Sequence, residues 1–225
     1  MGKLIVIEGT DASGKQTQAD LLYEYYKKEN PKTLKLSFPD YESPSSALVK
    51  MYLNGDFGKS ADSVSPQIAS IFYAADRYAS YKIKWGQAVK DKDSIIICDR
   101  FVSSNMIHQA AKIDDFTEKE EYLKWVYNLE YEIFGLPQPT ATIFLNMPPK
   151  HAQMLMSERK NKITNGDSLD IHEQDLAYLE KCYHNAVFVA KKYCWQEIFC
   201  TENDTIKPIH QIHHEIIETL KGLFA

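Results

Sequence analysis

One loop constrains the fold of this chain more than any other stretch, and its sequence is Gly9-Thr10-Asp11-Ala12-Ser13-Gly14-Lys15-Gln16-Thr17. It follows the apolar run Leu4-Ile5-Val6-Ile7, and a helical pattern begins near Lys15. A glycine loop between a strand and a helix N-terminus directs several backbone N–H groups, and the positive end of the helix dipole, at one point. The glycines let a phosphate approach the backbone, and Lys15 adds a mobile cation. The stretch therefore predicts a nucleotide phosphate loop rather than a chance glycine-rich turn.

The loop fits the phosphate-binding pattern G-x-x-x-x-G-K-[ST] except at its last position. There, Gln16 replaces the hydroxyl residue that binds magnesium, and Thr17 follows directly. Three ways of holding magnesium stay open: the carbonyl oxygen of Gln16, Thr17, or mostly waters and acidic residues.

The composition is that of an ordinary soluble globular protein, and it argues against several functions. A length of 225 residues suits a single domain over residues 1–225. The net charge of −5 argues against a nucleic-acid partner. No apolar run approaches the ~20 residues of a membrane helix, so we expect no membrane association. The four cysteines form no C-x-x-C pair, which favours free thiols in a reducing cytoplasm.

Apolar runs alternate with helical patterns along the chain, which is typical of a parallel sheet covered by helices on both faces. The sequence thus predicts an α/β fold of the P-loop NTPase type, with a five-stranded parallel sheet flanked by helices on both faces. The expected strands are 4–8, 33–38, 94–98, 141–145 and 196–200. The expected helices are 16–28, 45–53, 65–90, 101–111, 117–134, 149–158, 170–193 and 206–220. A capping box of Thr117 and Glu120 is expected to begin the fifth of these helices.

A charged pair follows the strongest strand signal. The run Ile95-Ile96-Ile97-Cys98 predicts a central strand buried on both faces, and Asp99 and Arg100 come directly after it. Ligands bind open α/β sheets at the carboxyl ends of their strands. Asp99 is placed there as a Walker-B aspartate would be, near magnesium. The alternative is a cap on the helix that follows. Asp99 and Gln16 are the candidate magnesium ligands.

The helix predicted to begin at Ser65 and to run to about Lys90 is apolar and aromatic on nearly all of its faces. A helix of this kind is buried against more than its own sheet. A homodimer interface accounts for the pattern, as a hypothesis.

Only three of the 26 basic residues are arginine: Arg77, Arg100 and Arg159. The rigid fork of arginine suits phosphate and carboxylate oxygens, so each of them is a candidate for a specific contact. Arg159 opens the polar, basic stretch 159–167, which has no periodic apolar face and predicts a mobile surface loop.

An ordered set of motifs resembles the thymidylate kinase family over nearly the whole chain. The set is more specific than the phosphate loop alone. It implies phosphorylation of dTMP by ATP in dTTP synthesis, with Mg²⁺ as cofactor. The motifs are Ile7-Glu8-Gly9-Thr10-Asp11, Phe38-Pro39, Tyr73-Ala74-Ala75-Asp76-Arg77, Asp99-Arg100-Phe101-Val102-Ser103-Ser104, Gln109, Leu136-Pro137-x-Pro139 and Asp170-x-x-Glu173.

The resemblance also implies roles for single residues. Tyr73 takes the position of the ring that stacks on thymine, although plain core packing is the alternative. Arg77 lies one helical turn later, on the same face, and contacts the base. Arg100 holds the acceptor's phosphate, and Asp11 meets the deoxyribose 3′-hydroxyl or the metal shell. Ser104 and Gln109 line the monophosphate site, with Gln109 facing the pyrimidine edge. The expected substrate residues are Asp11, Phe38, Pro39, Tyr73, Arg77, Arg100, Ser104 and Gln109.

Catalysis of phosphoryl transfer requires a protein to position the two substrates and to neutralise the charge of the transferred phosphoryl group. The residues expected to catalyse it are Lys15, Asp99, Arg100 and Arg159. Some members of the family place an arginine directly after the loop aspartate, where this chain has Ala12, and others supply it from a lid that closes over the nucleotides. The resemblance implies a lid at about residues 159–169 in this chain, with Arg159 as its arginine. Ile171 replaces the arginine that usually follows Asp170, so fewer nucleotide contacts are expected from the lid.

Two other functions stay open at the level of sequence. A kinase for another nucleoside monophosphate, such as dUMP or dGMP, has the same fold. A P-loop regulatory ATPase binds no acceptor at all. Arg77, Arg100 and the basic lid argue against the ATPase, because they make sense only if a second phosphate compound binds.

Overall fold

The core of the protein is one parallel sheet of five strands with helices on both faces, which confirms the predicted fold class. The computed structural model describes residues 1–162 and 176–224, with side chains throughout except at 61 and 158–162. The strand order is β2-β3-β1-β4-β5. The strands are β1 (Lys3–Glu8), β2 (Thr33–Ser37), β3 (Ile95–Asp99), β4 (Ala141–Asn146) and β5 (Gln196–Phe199).

The helices match the predicted order, and several of them end elsewhere than predicted. No helix in the described residues is both long and apolar enough to cross a membrane. The helices are α1 (Lys15–Lys27), α2 (Ala47–Leu53), α3 (Pro66–Ser80), α4 (Val102–Ser104), α5 (Phe116–Tyr127), α6 (Pro149–Lys162), α7 (Leu176–Lys192) and α8 (Ile209–Phe224).

Strand β1 divides the core in two, because successive side chains of a strand point to opposite faces. Leu4 and Val6 pack in a cluster with α5, and Ile5 and Ile7 pack in a second cluster with α1 and α8. These four side chains are at most 1 % exposed. A continuous apolar strand is therefore required at this position, as the run Leu4–Ile7 predicted.

Three helices continue into π-helical turns rather than as the single α-helices that were predicted. The turns are Tyr81–Trp85 after α3, Asn105–Gln109 after α4 and Asn128–Ile133 after α5. A π turn holds an extra residue and so changes the direction of the side chains that follow it. Helical periodicity in the sequence does not reveal such an insertion. The predictions are therefore correct for the positions of three helices and wrong in giving each of them as one continuous α-helix. These helices are 65–90, 101–111 and 117–134.

The second half of the chain holds two further differences. Helix α6 continues to Lys162, so the predicted loop is wrong for residues 159–162, and the rest of the lid lies outside the described residues. A hairpin of β6 (Thr201–Glu202) and β7 (Thr205–Ile206) precedes α8, which therefore begins three residues later than predicted. Asn203 and Asp204 form the turn with positive φ angles of 49° and 58°, which these residue types tolerate.

Helix α3 exposes apolar side chains on one side. Ala69 and Ala74 are buried, whereas Ile68, Ile71 and Tyr78 are 48 %, 40 % and 38 % exposed. A helix that is apolar on nearly all of its faces is expected to be buried on nearly all of them. Within one chain, α3 instead leaves these apolar side chains exposed to solvent.

The start of α5 differs from the predicted capping box. The side chain of Asp115 accepts a hydrogen bond from the backbone N–H of Glu118 at 2.8 Å. Asp115 therefore occupies the N-cap position, and Thr117 lies within the first turn. The predicted cap of Thr117 with Glu120 is wrong.

We expect Asp115→Ala to lower the free energy of unfolding by about 1 kcal/mol, because the N–H of Glu118 loses its acceptor. Thr117→Ala is the matched control, and its effect should stay within about 0.5 kcal/mol. Urea denaturation of the three proteins measures both values. Equal losses in the two variants would contradict the assigned cap.

Candidate active site

The phosphate loop has the backbone that anion binding needs. Gly14 is the N-cap of α1 with a φ of 85°, and no side chain caps the helix there. The first N–H groups of α1 are thus not used by a capping side chain. At Gly9 a Cβ atom would lie 2.9 Å from the carbonyl oxygen of Leu145, so the loop fits against β4 only with glycine. Ala12, also in the loop, has a φ of 58°, a strained conformation typical of functional sites.

Lys15 lies at the base of the loop. Its Nζ donates a hydrogen bond to the carbonyl oxygen of Thr10 at 2.6 Å, and the side chain is buried. Burial, together with the neighbouring Arg100 cation, lowers the pKa of Lys15 to about 8, against the opposing effect of Asp11. An anion placed beside this ammonium would raise the pKa again.

Arg100 is held between two partners at the carboxyl end of β3. Its Nη2 forms an ion pair with Asp11, and its Nη1 lies 3.0 Å from Nε2 of His108. Burial alone would lower the pKa of Arg100, but the carboxylates of Asp11 and Glu8 raise it above its ordinary value. The same contact keeps Asp11 ionised: burial opposes its charge, and Arg100, His108 and Lys15 together lower its pKa.

The backbone at Arg100 is left-handed, with a φ of 66°. Its N–H donates to the carbonyl oxygen of Ile7 at 3.1 Å, so β1 holds the strained residue in place. Such strain at a strand end typically marks a functional residue.

Glu8 is a site residue to which sequence reasoning assigned no role. It is fully buried at the end of β1. Its Oε2 accepts hydrogen bonds from the hydroxyls of Ser103 and Ser104 at 2.7 and 2.8 Å, and its Oε1 accepts from the N–H of Gly9 at 3.0 Å. Glu8 thereby ties the phosphate loop to the segment after β3. A charged residue that closes an otherwise apolar strand is the signal that could have revealed it.

A cavity of about 520 Å³ lies beside the loop, and we call it the acceptor cavity. All eight residues predicted to bind substrate line it, which brings together positions as distant in sequence as Asp11 and Gln109. The side chains that sequence reasoning missed there include Tyr41, Leu53, Asn105 and His108.

Tyr73 and Arg77 lie on the wall of the acceptor cavity, on the same face of α3. Tyr73 is half-buried, and its ring meets that of Tyr52 edge-on with 6.4 Å between centroids. Arg77 is 2 % exposed, and Glu130 binds its Nε and Nη2. The role of each toward a base stays a prediction.

The turn after β2 is anchored to α3 by Asp76. One carboxylate oxygen of Asp76 accepts from the N–H of Asp40 at 2.8 Å, and the other accepts from the hydroxyl of Ser45 at 2.5 Å. The N–H of Phe38 donates to the carbonyl oxygen of Asp99 at 3.0 Å. These bonds hold Phe38 and Pro39 against the cavity.

A second, larger space of about 1450 Å³ extends along the phosphate loop, and we call it the donor cleft. Six of the nine predicted loop residues line it, together with Asp99. The donor cleft and the acceptor cavity share five wall residues: Asp11, Phe38, Pro39, Tyr41 and Arg100. Arg100 and Asp11 therefore face both spaces.

The donor cleft also suits a magnesium ion. Within the described part of the chain, Oδ1 of Asp99 is buried without a hydrogen-bond partner, and Gln16 and Thr17 line the same cleft. The described residues contain no group of three or more histidine, cysteine or acidic side chains arranged around a metal. A few oxygen ligands completed by phosphates and water is the arrangement that Mg²⁺ prefers.

A phosphate loop after β1 and an aspartate at the end of β3 define a P-loop nucleotide-binding protein. The thymidylate kinase family model matches residues 7–216, so the chain belongs to that family of nucleoside monophosphate kinases. This confirms the resemblance of the motifs.

Relatives with the same description cover nearly the full length. The thymidylate kinase of Plasmodium falciparum is 28 % identical over 218 residues, which is 96 % of this chain and 89 % of the relative. That of Schizosaccharomyces pombe is 25 % identical over 222 residues, 99 % of this chain and 93 % of the relative. The solved structure of the Candida albicans thymidylate kinase has the same fold, with a TM-score of 0.72 at 24 % identity over 99 % of this chain and 93 % of its own.

We expect ATP binding at pH about 8.5 to take up a proton, because phosphates next to Lys15 return its lowered pKa to the ordinary range. Affinity for ATP should therefore fall as the pH rises through about 8. Calorimetry in buffers of different ionisation enthalpy measures the uptake.

Two variants control this measurement. Lys15→Arg keeps the cation and should abolish the uptake. Lys112 also has a pKa lowered to about 8 by burial, yet it bonds to Tyr52 and lines neither cavity, so Lys112→Met should retain the uptake. Uptake that persists in Lys15→Arg would contradict the assignment.

Proposed function

We propose that this protein transfers the terminal phosphoryl group of ATP to dTMP, forming dTDP. The observation that carries the proposal is the common wall of the donor cleft and the acceptor cavity. Because Arg100 and Asp11 face both spaces, two bound phosphates meet at these residues. A regulatory ATPase has no use for the acceptor cavity.

On the donor side, the chain positions phosphates rather than reacting with them. The N–H groups at the start of α1 bind phosphate oxygens, and Lys15 neutralises their charge. Asp99, with Gln16 or Thr17, would hold Mg²⁺, which would neutralise charge on the transferred group. Arg159, in the last turn of α6, adds a further cation, as its place in the sequence suggests.

On the acceptor side, Arg100 binds the phosphate of dTMP. Its permanent cation suits a dianion, and its pairing with Asp11 and His108 orients the guanidinium before substrate arrives. Asp11 then lies near the sugar, where its lowered pKa keeps it an acceptor for the 3′-hydroxyl. Glu8 holds Ser104 at the edge of the cavity.

The base lies in the deeper part of the acceptor cavity. Tyr73 stacks on its face, and Arg77 and Gln109 meet its edge. Gln109 has a buried Oε1 without a hydrogen-bond partner among the described residues, so it suits an N–H donor on the pyrimidine. Arginine is only a donor, and Arg77 therefore suits a carbonyl oxygen such as those of thymine.

The decisive measurement is ADP release with ATP and a panel of dTMP, dUMP, dCMP and dGMP. We expect the highest kcat/KM with dTMP. A preference for a base other than thymine would contradict the assignment of dTMP as the substrate. ATP hydrolysis that no monophosphate stimulates would contradict the assignment of kinase activity.

We also propose a cytoplasmic homodimer that forms through α3. Ile68, Ile71 and Tyr78 lie at positions i, i+3 and i+10, so they form an exposed stripe along the helix, which a second copy can cover. The four cysteines are free thiols in the structure, which suits a reducing compartment.

We expect Ile71→Asp to produce monomers, because it places a charge within the stripe of α3. Ile209→Asp is the matched control, since Ile209 is 58 % exposed and lies on α8 instead. Sedimentation velocity distinguishes the two outcomes. A wild-type protein that sediments as a monomer would contradict the dimer.

A further inference from the structure

Arg77 forms an ion pair with Glu130 in the protein interior. The Nε of Arg77 lies 2.6 Å from Oε2 of Glu130, and its Nη2 lies 2.6 Å from Oε1. Arg77 and Glu130 are only 2 % and 0 % exposed, respectively. Two parallel hydrogen bonds of this kind fix the plane of the guanidinium as well as its position.

Glu130 is itself held by a buried polar network. Its Oε1 also accepts from Nδ2 of Asn105 at 2.9 Å, and Nδ2 lies 3.2 Å from the carbonyl oxygen of Ser70. The hydroxyl of Tyr122 donates to the carbonyl oxygen of Asn105 at 3.2 Å and lies 2.6 Å from the hydroxyl of Ser70. The carboxylate therefore has little freedom to move.

Two π turns bring these groups together. Asn105 begins the turn Asn105–Gln109, and Glu130 lies within the turn Asn128–Ile133. Each turn belongs to a different part of the chain, and Arg77 comes from a third part, α3. Asn105 and Arg77 also line the acceptor cavity, so the network forms part of its wall.

A buried ion pair is a poor way to stabilise a fold, because desolvation offsets most of the attraction. Its geometric effect is larger. The pair uses Nε and Nη2 of Arg77, so Nη1 is the nitrogen whose N–H groups are not used by the carboxylate. Glu130 thus determines which edge of the guanidinium is available to a ligand.

We propose that Glu130 is a positioning residue that makes the acceptor cavity selective for a pyrimidine with a carbonyl oxygen at C4 over one with an amino group at C4. It fixes Arg77 as a hydrogen-bond donor at one place in the cavity wall. An amino group of the base at that place is also a hydrogen-bond donor. The amino group and the guanidinium of Arg77 would then face each other without an acceptor. The inference rests on the proposed phosphorylation of dTMP.

The charge of Glu130 supports this role. Burial by itself would lower the pKa of Arg77, and the carboxylate and its hydrogen bonds raise it instead. Arginine is a cation without an acceptor atom, so Arg77 cannot adapt to an amino group by changing its protonation state.

The test is Glu130→Gln, which keeps the shape and replaces one acceptor oxygen by an N–H₂ group that faces the arginine donors. We expect the KM for dTMP to rise about 10- to 100-fold, with kcat and the KM for ATP within about threefold of wild type. The ratio of kcat/KM for dTMP to that for dCMP should fall at least about tenfold, since the discrimination depends on the fixed donor.

Tyr122→Phe is the control for the network as a structural element. It removes a hydroxyl that contacts Ser70 and Asn105 but not Arg77, so the dTMP:dCMP ratio should not change. An unchanged ratio in Glu130→Gln, or an equal fall in Tyr122→Phe, would overturn the proposal.

Folding and function are controlled separately. Thermal melting reports whether Glu130→Gln folds. If it does not fold, Glu130→Asp is the test, because this variant keeps the charge and moves the acceptor oxygens by one methylene. It should still lower the ratio of kcat/KM for dTMP to that for dCMP severalfold. Failure of the wild type to phosphorylate dTMP contradicts the proposed function alone. Calorimetric binding of dTMP and dCMP then tests Glu130 independently of turnover.

Discussion

The register of β1 against β3 is the constraint on which the site depends. Ile7 pairs with Asp99 in parallel, and the N–H of Arg100 donates to the carbonyl oxygen of Ile7. These contacts place the phosphate loop, which begins just after β1, beside the aspartate that ends β3 and the arginine that follows it. A shift of the register by one residue would turn each of these side chains to the other face of the sheet. Both strands are apolar and largely buried on both faces, as is typical of strands at the centre of a parallel sheet.

Two buried glutamates show how charge is accommodated around the acceptor cavity. Glu8 accepts from two serine hydroxyls and a backbone N–H, and Glu130 accepts from Arg77 and Asn105. A buried carboxylate is costly unless its oxygens have donors. The side-chain donors come from segments distant in sequence in both cases, so the carboxylates join the strand ends and helices that form the cavity wall. They fix the geometry of a site that the hydrophobic core alone would leave less defined.

The parts of the fold that were predictable are those with local signals. The apolar run from Leu4 to Ile7 and the one ending at Cys98 identify buried strands, and the glycines of the loop identify the phosphate-binding turn. The eight acceptor residues could be named only through the resemblance of motifs, and the structure brings them to one cavity. The pairing of Arg77 with Glu130 joins residues 53 positions apart and leaves no periodic signal. The cap at Asp115 was missed because Thr117 and Glu120 match a capping box two residues further on.

The π turns give the acceptor cavity an unusual dependence on chain length. Each turn holds one residue more than an α-helical turn, and one residue of α-helix corresponds to a rotation of about 100°. Loss of a single residue between α5 and Glu130 would restore α-helical phase and direct the carboxylate away from Arg77, even with every side chain of the site retained. The number of residues between α5 and Glu130 therefore determines the shape of the cavity wall as much as the identity of its side chains does. Relatives that differ by one residue in this segment should have to build the same wall with other side chains.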